Sequence, residues 1–575
     1  MTRILSTNIL SPLGLTTEQN YQAARAGRSA LRRYDRTWNL KESFCASLFT
    51  KEQWTALLKE GFTRFESLIL SSVSEALRNV RIDLPSLRTV LVVSTAKGNV
   101  EDVEGAQDME RTYAGVSAQK IAASLGIQTP AVVVSNACMS GVAAQITAMR
   151  LLESGLYDYA VVTGAEVQGR FIVSGFQSFK SLSEDPCRPF DIERLGLNLG
   201  EGAATMILTS KPSSEESWVI EDGRIRCDAY HLSSPHPEGE GYYLALEDVK
   251  GCGKIATLGV HGTATMYNDQ MESKAIARAG LSDIPLTSLK GCFGHTMGAA
   301  GILETILMMR ALEDGLILGA RGFEEIGVSG KVNISSKNRP SDSKTFLKAL
   351  SGFGGVNAAI RLEKTALTAS VKPEEGKLRT LGRVRISERE VILNGERLQV
   401  EGKGHELLSE LYKTRIGDYP KFYKMDALAR LAFVGSELLL RSETAGRDGG
   451  KDRSVIFFNR SASIVSDLHH LDTIRDADNC YASPNVFLYT LPNLSASEVS
   501  IRHAYHGEVS FYILAERNEA LMEDIVRSSL LDPSTTSVLA GWLDCPEKDR
   551  FTLDLALLER TGEEDSKDQG PVFLK

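Results

Sequence analysis

A cysteine and two histidines stand where side chains can do chemistry rather than fill a core. Cys138 lies in VVVSNACMSGVAAQITAMRLLESG, Val132 to Gly155, where an apolar β-branched run passes straight into a helical pattern. A helix N-terminus offers free N–H groups and partial positive charge; these favour a thiolate and can hold an oxyanion. The pattern predicts a nucleophilic thiol on a strand–helix elbow, although a cysteine out of such a context is usually a small buried hydrophobe. His261 follows an apolar run in VHGTATMYND, and His295 precedes a helical run in KGCFGHTMGAAG. Both fall in Gly-rich turns at element ends, where functional groups are presented. A thiol and two imidazoles make a nucleophile with acid/base partners. His231 and His236 are read as a solvated Ser/Pro-rich loop, and no metal-ligand spacing is found.

Elements must carry these groups to one place. Thr89–Thr95, Ala131–Ser135, Tyr159–Gly164 and Ala203–Thr209 read as strands, and Gly141–Leu152, Asp269–Arg278 and Met297–Leu312 as helices. Strands alternating with helices argue for an α/β fold, and near-continuous apolar runs argue for strands covered on both faces. The N-terminus reads as a first strand ending in a turn at Ser11–Gly14, not as a signal peptide. With 575 residues the chain needs two or more domains. The polar stretch Lys364–Lys377 places a linker at 366–378, between a domain over 1–365 and a C-terminal α/β domain over 379–575. A net charge of −9 argues against nucleic acid. No apolar run is long enough to span a membrane. Eight cysteines without a CxxC pair point to the reducing cytoplasm.

Six motifs, in order, resemble those of the β-ketoacyl-[acyl carrier protein] synthases: NACMSG around Cys138, RPFD at Arg188–Asp191, GEGA at Gly200–Ala203, HGTAT at His261–Thr265, GHTMGAAG at Gly294–Gly301 and GFGGVNA at Gly352–Ala358. The resemblance covers residues 1 to about 365 and implies the thiolase fold, two similar halves stacked as five αβαβα layers, usually in a homodimer or paired with a synthase-like chain. It implies a decarboxylative Claisen condensation with acyl carrier protein as partner and no metal or organic cofactor. Cys138 then matches the acyl-carrying nucleophile, and His261 and His295 the pair that drives malonyl decarboxylation and holds the enolate oxygen. Lys290 and Glu304 match the active-site lysine and its carboxylate, Asp269 and Glu272 supporting acids, and Thr263 and Thr265 the phosphopantetheine-arm site. Phe353 matches the gating phenylalanine, whose N–H with that of Cys138 would form the oxyanion hole. Ala264 replaces the usual glycine, and the bulky Met139 follows the nucleophile where a small residue is usual; the first is expected to shift arm binding slightly and the second to shape the pocket. The retained cysteine argues against the family's chain-length-factor relatives, and the histidines against thiolases. Two other readings are a catalytically vestigial scaffold and an acyltransferase without decarboxylation.

The remaining residues carry a weak internal repeat. Asp426–Leu440 resembles Arg64–Asn79, Ser454–Ser463 resembles Thr89–Gly98, and Val509–Leu521 resembles the strand–helix stretch around Cys138. Ser537–Cys545 resembles the strand at Tyr159, with Gly541 against Gly164. This predicts a degenerate, inactive synthase half with Glu516 at the nucleophile position, serving dimerisation, partner docking or carrier-protein recruitment. Upstream, Arg383–Leu398 reads as two strands around an Asn394-Gly395 turn.

Overall fold

The computed structural model describes residues 1–368, 377–443, 452–476, 482–561 and 572–573. Fifteen of its strands fall into three five-stranded units of one pattern. The first comprises β1 (Thr2–Leu10), β2 (Thr89–Ser94), β3 (Val132–Val134), β4 (Tyr159–Glu166) and β5 (Gly202–Thr209), in the order β3-β2-β4-β5-β1. β3, β2 and β4 run parallel, and β5 runs antiparallel to both β4 and β1. Every residue of β2, β3 and β5 is buried, as apolar runs covered on both faces require. Helices α1 (Arg64–Ala76), begun by a Thr63/Glu66 capping box, and α2 (Ser140–Glu153) pack on these strands.

The second unit comprises β6 (Ser213–Cys227), β7 (Thr257–Gly259), β8 (Leu286–Thr287), β9 (Thr345–Gly352) and β10 (Val356–Leu367), with α3 (Met266–Arg278) and α4 (Met297–Glu313). Its order, β8-β7-β9-β10-β6, repeats the first in position and sense. The two units stack through α2 and α4. A Cβ on Gly141 would come within 2.8 Å of the Gly298 oxygen, and one on Gly301 within 2.4 Å of the Val142 nitrogen. Glycine at both sites lets the two backbones touch. The helices are therefore a shared middle layer, with 13 of the 14 residues of α2 and 15 of the 17 of α4 buried.

The third unit begins with β11 (Lys377–Ser387). A hairpin of β12 (Val391–Leu393) and β13 (Glu396–Leu398) extends it, with Asn394 and Gly395 at the φ of 50° and 86° that the two-residue turn demands. Then follow α5 (Ala427–Arg441), β14 (Ser454–Asn459), α6 (Pro484–Tyr489), β15 (Val509–Ile513), α7 (Glu519–Ser529), β16 (Ser537–Glu547) and β17 (Arg550–Thr561). The order β15-β14-β16-β17-β11 is again that of the first unit, sense for sense.

The first and third units join edge to edge. β15 pairs antiparallel with β3, Tyr512 opposite Val134 and Ile513 opposite Val133. Within the units, Val134 lies opposite Ser94 and Ile513 opposite Asn459, the last residues of β2 and β14. Tyr512 and Ile513 therefore correspond to Val133 and Val134, and the junction is self-complementary, as a two-fold contact is. Buried ion pairs reinforce it, Arg150 Nη1 to Glu508 Oε2 at 2.5 Å and Lys97 Nζ to Asp467 Oδ1 at 2.8 Å, and Arg226 Nη1 of β6 ties the second unit to the third through Asp532 Oδ2 at 2.5 Å. One apolar core runs from Ile4 to Phe573 through all three units, and a smaller one underlies the outer face of the second unit.

Three sequence expectations change in detail. The linker expected at 366–378 is narrower, because β10 continues through Leu367 and β11 opens at Lys377; residues 369–376 lie outside the described residues. Cys138 stands four residues beyond Val134, whereas Glu516 stands three beyond Ile513, so Arg517 holds the matching position. Gly541 lies opposite Phe457, two residues short of the place matching Gly164, which lies opposite Ser94. It is glycine because a Cβ there would meet the Asp554 oxygen at 2.0 Å.

Candidate active site

Cys138 sits in one turn of 3-10 helix, Ala137–Met139, between β3 and α2. Ala137 takes a left-handed φ of 49°, an uncommon conformation for a residue with a Cβ, and this sharp elbow sets the cysteine at the end of the sheet. His261 follows β7, and His295 precedes α4. The two stacked units thereby bring the three groups together: Sγ and one ring nitrogen of each histidine lie within 4.8 Å of one another. The imidazole rings meet edge to face at 5.0 Å.

The histidines are held by their backbones. Glu272 of α3 accepts the N–H of His261 at 2.7 Å and of Gly262 at 2.8 Å; Asp269 accepts those of Ala264 at 3.2 Å and Phe190 at 2.7 Å. The His295 N–H reaches the Asn198 oxygen at 2.6 Å. Burial pushes the carboxyls of Asp269 and Glu272 up to about 6 and about 8. Behind the histidines, Glu304 takes Lys290 Nζ on one oxygen at 2.9 Å and Lys348 Nζ on the other at 2.6 Å. Burial and then the two lysines hold both imidazoles well below the usual histidine range. They are neutral, able to accept a proton from a thiol and to donate an N–H to an oxygen. The sequence predicted a thiolate at the elbow. Burial instead pushes the Cys138 thiol up to about 12, against the opposing pull of Lys290. The resting group is a thiol beside a neutral base, since desolvation outweighs the helix terminus. A thiol and two imidazoles are also soft-metal donors. The +1 sum of two ammoniums and one carboxylate beside them opposes a cation.

These groups line a cavity of about 280 Å³ together with Thr263, Thr265 and Phe353. The two threonine hydroxyls share a hydrogen bond of 2.9 Å. Phe353 stacks on Phe176 and Phe179 with centroids at 6.2 and 5.4 Å, next to Gly354 and Gly355 at φ of 96° and 70°. Ala264 keeps a φ of 62°, so the turn tolerates the methyl at the cost of strain. Met139 is wholly buried in the core and is not among the residues lining this cavity. Beyond Cys138 a narrow apolar void of about 10 Å³ is closed by Met297 and by Phe487 and Leu491 of the third unit. Asn493 of that unit donates to the Phe353 oxygen at 2.9 Å, and Asn136 accepts the Phe511 N–H at 2.7 Å.

Cys138, His261, His295, Thr263, Thr265 and Phe353 thus line one cavity, with Lys290, Glu304, Asp269 and Glu272 behind the histidines. Three that matter there were missed. Lys348 was visible as a charge inside the apolar strand TFLKALSG. Phe487 and Asn493 had no signal, because they reach the site only through the junction of β15 with β3.

Stacked units of this pattern, with a thiol on the elbow of one and two imidazoles of the other clustered beside it, define a thiolase-fold, acyl-transferring condensing enzyme. Residues 3–213 match the family model for the beta-ketoacyl synthase N-terminal domain, and residues 218–324 match that for its C-terminal domain. The chain belongs to the β-ketoacyl synthase family. It is 27% identical over 403 residues to 3-oxoacyl-[acyl-carrier-protein] synthase 2 of Vibrio cholerae, covering 61% of this chain and 96% of that one. The tetracenomycin polyketide synthase ketoacyl synthase alpha subunit of Streptomyces glaucescens is 29% identical over 273 residues, covering 44% of this chain and 64% of its own. In fold, PfaC, a keto synthase-chain length factor structure, covers 99% of this chain and 79% of its own length at a TM-score of 0.74 and 14% identity.

Proposed function

We propose that Cys138 carries the acyl group and that His261 and His295 serve the condensation with a malonyl thioester on acyl carrier protein. The observation that carries this reading is the 4.8 Å cluster of one thiol and two neutral imidazoles. A neutral imidazole takes the thiol proton as Cys138 displaces the carrier thiol and becomes a thioester. The malonyl group then loses carbon dioxide, and the electrons of the broken carbon–carbon bond pass to the thioester oxygen as an enolate. Imidazole N–H groups stabilise that charge in a buried site. The enolate carbon attacks the acyl carbon, and the thiolate of Cys138 leaves and regains a proton. Thr263 and Thr265 face the cavity where the carrier arm would lie, Phe353 gates the acyl side, and Lys290, Glu304, Asp269 and Glu272 support the histidines. The relatives' names point to fatty-acid or polyketide synthesis as the setting.

The third unit is read as an incomplete second synthase that stands in for a partner subunit at the edge of β3. That edge is filled by the chain's own β15, so a homodimer through it is replaced by an internal pair. All seven described cysteines are free, which supports the cytoplasm. No described helix is long and apolar enough to cross a membrane. The test is to supply acyl- and malonyl-carrier protein to the full chain. A 3-ketoacyl product is expected; its absence across several chain lengths contradicts the reading.

A further inference from the structure

Lys348 is a charged side chain in the middle of β9, one of the best-covered strands of the fold, and the condensation steps above give it no part of their own. It is fully buried, and seven of the eight residues of β9 are buried. Opposite it in the parallel ladder stands Gly259, the last residue of β7. A Cβ on Gly259 would lie 3.0 Å from Lys348 Cδ and 2.4 Å from Met308 Sδ, so glycine there keeps a lane open for the lysine. Through that lane Nζ reaches the Val260 oxygen at 2.9 Å and the Gly259 oxygen at 3.3 Å, the two carbonyls before His261. Its third contact is Glu304 Oε2 at 2.6 Å, while Lys290 holds Oε1. All three ammonium protons are used, so the group has one protonated geometry.

We propose that Lys348 is a positioning residue for decarboxylation: it locks Glu304, Lys290 and the β7 end that carries His261 into one unit, and adds positive charge behind the histidine pair where the enolate oxygen forms. The proposal rests on the condensing reading above. A buried carboxylate with one lysine would be a neutral pair; the second lysine leaves a net charge of +1. That charge opposes protonation of both imidazoles and favours an anion held by their N–H groups. The charged and titratable groups around Lys348 are Glu304, Lys290, Glu272, His261 and His295. Burial first, and Lys290 after the opposing pull of Glu304, bring its ammonium down to about 8. Activity that needs the ammonium therefore falls as pH rises through about 8. The same depression makes the folded state bind fewer protons than the unfolded chain from about 8 to the ordinary lysine range, so this group's contribution to stability rises over that window. Glu272 also titrates near 8, and a Lys348 variant leaves it in place.

The experiment uses the full-length protein and Lys348→Met, with Lys348→Gln as a second variant should the first not fold. Malonyl-pantetheine is the decarboxylation probe, and an acyl-pantetheine with intact mass reads the load on Cys138. The expected result is Cys138 acylation within about threefold of wild type, decarboxylation slowed at least tenfold, and loss of the alkaline fall in rate near pH 8. Decarboxylation at the wild-type rate overturns the role of Lys348, and an alkaline fall that survives the substitution overturns the assignment of that fall to its ammonium in favour of Glu272. Wild type that neither loads Cys138 nor releases carbon dioxide overturns the condensing reading and the proposal with it.

Discussion

Cys138 and Arg517 stand four residues beyond the corresponding ends of β3 and β15, each at the start of a helix that leads to the next parallel strand. Around Cys138 the helix α2 lies between two sheets, and all but one of its residues are buried. The counterpart α7 buries only 6 of 11 residues, chiefly Leu521, Met522, Ile525 and Val526, and turns Glu519, Glu523 and Arg527 outward. Arg517 bonds to Asp554 at 2.7 Å, and Glu516 is exposed. The difference teaches what the elbow needs. A strand–helix turn becomes a site when a second sheet covers it and supplies histidines from its own strand ends. Among the described residues no second sheet covers α7, and its sequence is amphipathic to suit. The third unit keeps the scaffold and spends its edge strand and helix termini on bracing the first.

The harshest way to break this comparison is to remove the third unit. A chain ending at residue 371 exposes the β3 edge and the part of the continuous core that packs against the third unit. It is expected to aggregate or to dimerise through β3 in size-exclusion chromatography. A soluble, monomeric and fully active fragment would show that the brace is dispensable. Next in size is Arg150→Met, which strands the buried Glu508 carboxylate and should cost ~3–5 kcal/mol in urea unfolding. Adding Glu508→Gln should recover part of the loss. An unchanged midpoint for Arg150→Met would place the strength of the junction elsewhere. Phe487→Ala tests the wall that the third unit gives to the acyl side. A Cβ on Gly175 would strike the Phe487 ring at 2.1 Å, so the ring is tightly seated and its loss should cost ~3–5 kcal/mol. Longer acyl chains should then load onto Cys138 by mass, and an unaltered chain-length profile would remove Phe487 from the pocket. The smallest effect is Ala264→Gly, which relieves a left-handed alanine. It should raise stability by about 1 kcal/mol in thermal unfolding, and a loss would show that the methyl is needed in the turn.

Cys138, His261 and His295 were legible as rare residue types, the cysteine at a strand–helix junction and the histidines in Gly-rich turns, whereas Lys290 and Glu304 were legible only through the family resemblance, being common residue types. Elements were legible where apolar runs are long, as in β2 and β4. The thiol's ionisation was not, because burial depends on a second sheet from distant sequence. Nor was the wall formed by Phe487, since it exists only once β15 has paired with β3. The repeat in the third unit could be read from the rhythm of its strands. Its registration was off at Glu516 and Gly541, because strand rhythm fixes order and not the residue opposite.

The central claim is that Cys138 is the acyl-carrying nucleophile of a site assembled by two stacked units and braced by a third. Intact-mass analysis of the full chain incubated with acyl-pantetheine thioesters tests it directly. The account predicts a single acyl adduct on Cys138, none on Cys138→Ala, and continued release of carbon dioxide from malonyl-pantetheine by that variant through the histidines. An unmodified Cys138, or an adduct that persists in Cys138→Ala, would contradict it.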